Sequence, residues 1–155
     1  MTLLERDPNA PAAWLGELPL ASRYTAGLAG ERFLRAIKDE GRIYGARCDR
    51  CGVTYVPAVA FCERCLNAIE EWMDVGIRGE VYTFTLLYQD LDGNRLEQPE
   101  LVAFVRLGDG GLVHRLGEVQ AGEVAIGMPV EAVFRPAGER VGSILDIVYF
   151  RPSCG

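Results

Sequence analysis

The sequence lacks the features that would place a protein in or across a membrane. It contains no run of about 18 apolar residues, which is the length that a bilayer-spanning helix needs. The segment from Met1 to Pro11 carries Glu5, Arg6 and Asp7 and has no apolar stretch of the kind found in secretory signals. We therefore expect a cytoplasmic protein.

Signatures of nucleotide and nucleic-acid binding are also missing. The chain has neither a Gly-x-Gly-x-x-Gly fingerprint nor a Walker loop. Its net charge of −6 is opposite in sign to that of most proteins that bind phosphate backbones. Charge is nevertheless uneven, because residues 23–64 carry eight basic and five acidic residues. This segment is either an ordinary solvated surface or a patch for a small phosphorylated ligand or an acidic partner.

What the chain does have is an ordinary globular composition. Of its 155 residues, 49% are hydrophobic and 25% are charged. A disordered chain would lack the apolar surface needed to offset the entropy of ordering. Length and composition together predict one domain, or one domain with a small appendage.

Four of the five cysteines form the strongest motif. Cys48, Cys51, Cys62 and Cys65 make two Cys-x-x-Cys knuckles separated by ten residues. Two such knuckles that face each other complete a tetrahedral site for one ion, and Gly52 supplies the positive φ that a knuckle turn often needs. Because all four ligands are cysteine, the site is closed and therefore structural.

Zinc is the favoured occupant of this site, but three alternatives remain at this stage. Iron in a rubredoxin-type centre also suits four thiolates. Two disulfides would require an oxidising compartment. A thioredoxin-like redox pair would require one motif, at the start of a helix, rather than two.

Hydrophobic periodicity divides the chain into an N-terminal arm, a helix, the cysteine segment and a β-rich remainder. The arm covers residues 1–25, and the helix covers 29–40 and ends at Gly41. Short strands are predicted around the first knuckle at 42–47 and 53–56. Five further strands follow at 80–88, 101–107, 112–119, 129–135 and 143–150, with a helical turn at 121–126. This order is typical of a five-stranded OB-fold barrel, and a small sandwich is the alternative.

Several stretches of sequence resemble a known family. They are Cys48-Asp49-Arg50-Cys51-Gly52, Phe61-Cys62-Glu63-Arg64-Cys65, Gly79-Glu80-Val81-Tyr82-Thr83-Phe84-Thr85 and Ile126-Gly127-Met128-Pro129-Val130. Over residues 22–152 the chain is similar to the family first catalogued as domain of unknown function 35. The resemblance implies a mainly β fold with an N-terminal helical segment, in which a rubredoxin-like zinc ribbon precedes a five-stranded OB-fold barrel. The expected boundaries are 1–41 for arm and helix, 42–74 for the zinc ribbon and 75–152 for the OB-fold.

The same resemblance implies a role in acyl-CoA metabolism. Members look like non-catalytic accessory subunits of acyl-CoA-processing enzymes, and the stretches at 22–33 and 111–118 are similar to the thiolase-associated branch. A thiolase-type catalytic subunit is therefore the expected partner, and CoA or an acyl-CoA is the expected ligand. Arginine suits the phosphates of CoA, and the candidate contacts are Arg42, Arg47, Arg50 and Arg64.

The remaining chemistry-bearing residues do not form a catalytic constellation. His114, the only histidine, is interpreted as a strand residue with a satisfied ring, and Cys154 as a bystander near the C-terminus. The segment that begins at Asp90 lacks the glutamate of a calcium loop and is predicted to be a turn. Period-two spacing places Tyr82, Phe84 and Tyr88 on one strand face, where they either fill the barrel core or stack a base.

Two other functional classes remain open from the sequence. One is a nucleic-acid-binding module, because ribbons and OB-folds both occur in such proteins. The other is a rubredoxin-like electron carrier, which would hold iron at the four cysteines. The net charge of −6 argues against the first class, and the metal content of the purified protein distinguishes the second.

Overall fold

The computed structural model of the chain describes residues 25–90 and 92–153. The predicted N-terminal arm, apart from Thr25, and Cys154 lie outside the described residues. No helix among the described residues has both the length and the apolar character required to cross a membrane.

The chain begins its described part with a helix that packs one apolar stripe inward. Helix α1 covers Gly27–Arg35 and continues as a π-helical turn over Ala36–Glu40. Phe33 and Ile37 lie one turn apart and are buried, whereas Glu31 and Arg35 form an exposed ion pair. Gly41 ends the helix with a φ of 66°, so the predicted helix and its glycine stop are confirmed.

Three short strands form a small antiparallel sheet after the helix. They are β1 Tyr44–Arg47, β2 Thr54–Tyr55 and β3 Glu71–Asp74, in the order β2-β1-β3. Strand β3 was not predicted, because its sequence Glu-Trp-Met-Asp has no β-branched residue and no clear alternation. Trp72 of this strand lies 4.9 Å from the guanidinium of Arg32, which joins the helix to the sheet through a cation–π contact.

Five longer strands form the second sheet. They are β4 Arg78–Gln89, β5 Arg95–Leu107, β6 Gly110–Arg115, β7 Pro129–Phe134 and β8 Ile147–Pro152. Their order is β6-β5-β4-β7-β8, and a parallel bridge between Leu116 and Phe150 connects the two ends. A 3₁₀ turn at Ala121–Glu123 precedes β7. The prediction of an OB-fold barrel with a helical element after its third strand is confirmed.

One continuous core joins the helix, the small sheet and the barrel. Alternate residues of β5 point inward, and Ala103, Val105 and Leu107 are almost completely buried. Phe33 of the helix and Ile43 before β1 belong to the same hydrophobic cluster. Burial of shared apolar surface therefore holds the parts of the molecule together.

The aromatic residues of β4 do not form the predicted face. The pairing register shifts between Val81 and Thr83, so a β-bulge places Tyr82 outside the period-two pattern. The Tyr82 ring instead contacts Phe104 edge-on at 5.9 Å, and Phe84 lies opposite Ala103. Tyr82, Phe84 and Tyr88 are 55%, 37% and 53% exposed, so the expectation that they fill the barrel core is wrong.

The last strand begins later than predicted because a buried carboxylate organises the segment before it. Asp146 accepts hydrogen bonds from the backbone N–H groups of Val141, Gly142 and Ser143, at distances of 2.7–3.1 Å. These bonds hold residues 144–146 as a 3₁₀ turn, and β8 starts at Ile147. Burial raises the pKa of Asp146, but the N–H groups and nearby Arg135 outweigh this effect and keep that pKa below its ordinary value.

The turn between β5 and β6 attaches the barrel to β2. The backbone N–H of Thr54 donates to Oδ2 of Asp109 at 3.0 Å, and Gly111 N–H donates to the carbonyl oxygen of Val56 at 3.0 Å. Gly110 lies so close to Val56 that any Cβ there would overlap the Val56 backbone nitrogen. We name this contact the junction: Thr54 and Val56 on one side, and Asp109, Gly110 and Gly111 on the other.

Candidate metal centre

Two backbone turns of the same design present the four cysteines. In the first knuckle Gly52 N–H donates to the Cys48 carbonyl oxygen at 2.8 Å, and in the second Leu66 N–H donates to the Cys62 carbonyl oxygen at 2.8 Å. Gly52 has a φ of 69° and Leu66 a φ of 59°. Gly52 therefore has the predicted conformation, and the second knuckle reaches the same conformation with a residue for which it is strained.

The four sulfur atoms converge on one point. All of them lie within 4.8 Å of one another, and the sulfurs of Cys48 and Cys65 are 3.7 Å apart. Four thiolates at about 2.3 Å from a zinc ion have sulfur–sulfur distances of about 3.8 Å. The arrangement thus fits a closed tetrahedral thiolate site.

The disulfide and redox-pair alternatives do not fit this geometry. All four cysteines are free, and the 3.7 Å between the sulfurs of Cys48 and Cys65 is far above the roughly 2.05 Å of a sulfur–sulfur bond. Each Cys-x-x-Cys pair lies in a β-knuckle rather than at the start of a helix.

Tyr55 makes a polar contact to the cluster that the sequence did not indicate. Its hydroxyl lies 3.3 Å from Sγ of Cys62, and the backbone N–H of Glu63 donates to the same hydroxyl at 3.3 Å. The hydroxyl group of Tyr55 lowers the pKa of the Cys62 thiol to about 6. Cys51 has the opposite behaviour, since its hydrogen bond to Cys65 raises its pKa to about 12.

The hydroxyl of Tyr55 thus favours the thiolate form of Cys62, whereas hydrogen bonds among the sulfurs favour the thiol form of Cys51. A divalent ion displaces the remaining protons, so metal binding and ionisation occur together.

The four arginines proposed for CoA phosphates do not form one group. Arg42 precedes β1 and pairs with Asp74 at 3.1 Å, whereas Arg47 at the other end of β1 contacts the Thr54 hydroxyl at 3.4 Å. Arg50 and Arg64 lie within the first and second knuckle and are exposed. Three of the four therefore border the metal site, and Arg42 lies at the far end of the strand.

The other residues singled out from the sequence make backbone contacts that are typical of structural roles. His114 is 8% exposed, its Nδ1 accepts from the backbone N–H of Arg115 at 2.9 Å, and its Nε2 lies 3.4 Å from the Ile144 carbonyl oxygen. Burial lowers the pKa of this histidine, so a neutral ring with Nε2 protonated fits both contacts. The Asp90 segment is a turn in which the Asp90 carboxylate accepts from the backbone of Asp92 and Asn94. Both interpretations agree with the structure.

Sequence reasoning missed three residues with polar roles. The one feature of the sequence that could have pointed to Tyr55 is its position four residues after Cys51. Asp109 lies in the Gly-Asp-Gly-Gly stretch at 108–111, which is typical of a hairpin turn but does not indicate a contact with Thr54. Nothing in the sequence indicated that Asp146 is buried, because an isolated acidic residue near a strand is usually exposed.

The fold and the site together define a class of protein, a closed four-cysteine ribbon joined to an OB barrel. Two family models match it: the rubredoxin-like zinc ribbon domain of ChsH2 over residues 35–70 and the C-terminal OB-fold domain of ChsH2 over residues 72–135. The chain belongs to the DUF35 family, as the relatives described next show.

Two archaeal relatives carry the name DUF35 domain-containing scaffold protein. The one from Methanocaldococcus jannaschii is 31% identical over 106 residues, which are 67% of this chain and 75% of the relative. The one from Pyrococcus furiosus is 32% identical over 125 residues, which are 78% of this chain and 90% of the relative.

Two solved structures share the fold. A DUF35-family protein of unknown function from Sulfolobus solfataricus has a TM-score of 0.57 and 32% identity, over 69% of this chain and 78% of the other. A chain of the Ltp2-ChsH2(DUF35) aldolase has a TM-score of 0.61 and 24% identity, over 84% of this chain and 98% of the other.

Proposed function

We propose that this protein is a non-catalytic scaffold subunit of an acyl-CoA-processing complex, and that its four cysteines hold one structural zinc ion. The observation that carries the proposal is membership in a family whose curated relatives are named scaffold proteins. The closed donor set supports a structural ion, since four thiolates leave no position for substrate or water.

Metal analysis of the purified protein tests the identity of the ion. We expect a colourless preparation with about one equivalent of zinc per chain. A red preparation with thiolate-to-iron absorption would instead support the electron-carrier alternative. Cys62→Ser is the matched variant, and it is expected to lose most of the bound metal.

The second knuckle offers a surface for the partner enzyme. Phe61 and Leu66 flank Cys62 and Cys65 and are 62% and 79% exposed. Large apolar side chains presented together on a rigid metal-held turn are typical anchors of protein interfaces. We infer that the partner is a thiolase-type subunit, and that these two residues enter an apolar pocket on it.

Affinity purification from a native extract tests the partner. The tagged protein should retain a thiolase-type enzyme, identified by mass spectrometry, and Phe61→Ala with Leu66→Ala should retain about tenfold less of it. Val141→Ala is a matched control, because Val141 is 74% exposed and lies far along the chain from the knuckles. Retention of an unrelated enzyme, or equal retention by all variants, contradicts this part of the proposal.

The arginines beside the metal site support a proposed contact with CoA. Arg50 and Arg64 are exposed on adjacent knuckles, and a guanidinium donates two parallel hydrogen bonds to a phosphate. In calorimetry with CoA, Arg50→Gln and Arg64→Gln should each weaken binding about tenfold. Arg42→Gln should have less effect because Asp74 already pairs with this guanidinium. Arg95→Gln in the distant β4–β5 hairpin is the control, and equal loss in this variant would refute a site at the knuckles.

A further inference from the structure

Strand β2 and the residue that follows it contact the metal cluster and the barrel through three consecutive residues. The Thr54 N–H donates to Asp109, the Tyr55 hydroxyl reaches the Cys62 sulfur, and the Val56 carbonyl oxygen accepts from Gly111. The residue that touches the sulfur is therefore held on both sides by the junction. No other tyrosine among the described residues contacts a cysteine sulfur.

The direction of the hydrogen bond follows from the surroundings of the hydroxyl. The Glu63 N–H donates to the oxygen of Tyr55, so the hydroxyl hydrogen is available for a second partner. A metal-bound Cys62 is a thiolate with no hydrogen of its own, and it can only accept. The hydroxyl of Tyr55 must then donate to the sulfur.

We propose that Tyr55 is an outer-shell residue of the metal centre, positioned by the barrel through Asp109. Its O–H···S bond withdraws negative charge from the Cys62 thiolate and fixes the orientation of that side chain. Outer-shell hydrogen bonds of this kind raise metal affinity about 10–100-fold in other metal sites. The inference rests on the proposed function only in requiring that the four cysteines bind a metal ion.

Tyr55→Phe is the direct test, because it removes the hydroxyl and keeps the ring. Competition with a chromophoric chelator should show zinc affinity reduced about tenfold or more. In the cobalt-substituted protein, the thiolate-to-metal charge-transfer band should move to longer wavelength, since the Cys62 sulfur becomes more electron-rich. A purely structural role of Tyr55 would not move that band.

Tyr44→Phe is the matched control. Its hydroxyl bonds to Glu40 at 3.2 Å, away from the cysteines, so both the zinc affinity and the cobalt band should stay unchanged. If Tyr55→Phe also leaves both measurements unchanged, the proposal is overturned.

Asp109→Asn tests the positioning by the barrel. The weaker amide acceptor loosens Thr54 and therefore Tyr55, so the cobalt band should shift in the same direction as in Tyr55→Phe, by a smaller amount. In the double variant Tyr55→Phe/Asp109→Asn the band should match that of Tyr55→Phe alone. Additive shifts, or no shift in Asp109→Asn, would refute the coupling. Failure of the unmodified protein to bind either metal would instead refute the proposed zinc site.

Discussion

Leu66 has a backbone conformation that is unfavourable for a residue with a side chain. It has a φ of 59° at the position where the first knuckle has Gly52. The left-handed conformation costs an ordinary residue about 1–2 kcal/mol, and Leu66 buries little surface to offset this, since it is 79% exposed. The side chain therefore does not stabilise the isolated chain, which agrees with its proposed use at a partner interface.

Leu66→Gly should raise the free energy of unfolding by about 1 kcal/mol, because glycine adopts this conformation without strain. Chemical denaturation of the metal-loaded protein measures the change. Leu66→Ala keeps the Cβ and should give no such gain. Equal stability of the two variants would contradict the assignment of strain to this position.

Asp146 is the opposite case, a charged residue that is 1% exposed and satisfied by backbone donors. Asp146→Asn should lower the free energy of unfolding by about 2–4 kcal/mol, because hydrogen bonds to a charged acceptor are stronger than those to an amide. Urea denaturation at neutral pH checks this value. Asp92→Asn, in an exposed turn, should change stability by less than about 0.5 kcal/mol.

The same residue makes a prediction about pH. Because the pKa of Asp146 in the folded chain lies below its ordinary value, the unfolded chain takes up the proton first. The stabilisation is complete above about pH 5, where the unfolded chain is also ionised, and is lost as the pH falls through the lowered pKa. Asp146→Asn should therefore show a shallower loss of stability in acid, and an unchanged acid profile would contradict the prediction.

Among the elements, the junction between β2 and the β5–β6 turn decides how the ribbon meets the barrel. One backbone–backbone hydrogen bond and one bond to a carboxylate form it, and the close approach requires a glycine at position 110. A strand of two residues such as β2 has little stability of its own. The turn of the neighbouring sheet therefore completes it.

Gly110→Ala should destabilise the protein by about 1–3 kcal/mol, because the added methyl group forces the turn away from Val56. Thermal unfolding measures the loss, and hydrogen exchange should show faster exchange at Thr54. Gly138→Ala is the control, since nothing lies within 4 Å of a Cβ at that position. Equal behaviour of the two variants would show that the junction tolerates a side chain.

The metal centre and the barrel share one hydrophobic core. Cys48 and Cys62 are members of the same hydrophobic cluster as Ile37 of the helix and Val105 of the barrel. Structural zinc contributes on the order of 10 kcal/mol to small domains of this kind. Loss of the ion should consequently affect residues far from the ribbon.

Removal of zinc by a chelator should lower the midpoint of one thermal transition for the whole chain. It should not produce a second transition that belongs to the ribbon alone. Calorimetry with and without chelator provides the measurement, and a return of the original midpoint on adding zinc is the control. The midpoint of Cys62→Ser should equal that of the zinc-free protein and should not change when chelator is added. A barrel that melts at an unchanged temperature after zinc removal would contradict a shared core.

Much of this architecture follows from local patterns in the chain. The spacing of Cys48, Cys51, Cys62 and Cys65 predicts a four-sulfur site, because two-residue gaps bring paired sulfurs to one side of a turn. Apolar periodicity and Gly41 likewise predict the helix and its end, and the succession of strands predicts the barrel. These features depend on residues that are near one another in sequence.

The remaining features depend on contacts between distant residues. The bulge at Tyr82 depends on the register of β4 against β5, and the contact of Asp109 with Thr54 spans 55 positions. The burial of Asp146 and the hydrogen bond of Tyr55 to Cys62 likewise require the folded arrangement of several segments. Composition and spacing determine which donors and acceptors the chain contains. Only packing in three dimensions decides which of them meet, because each pairing depends on the position of the backbone around it.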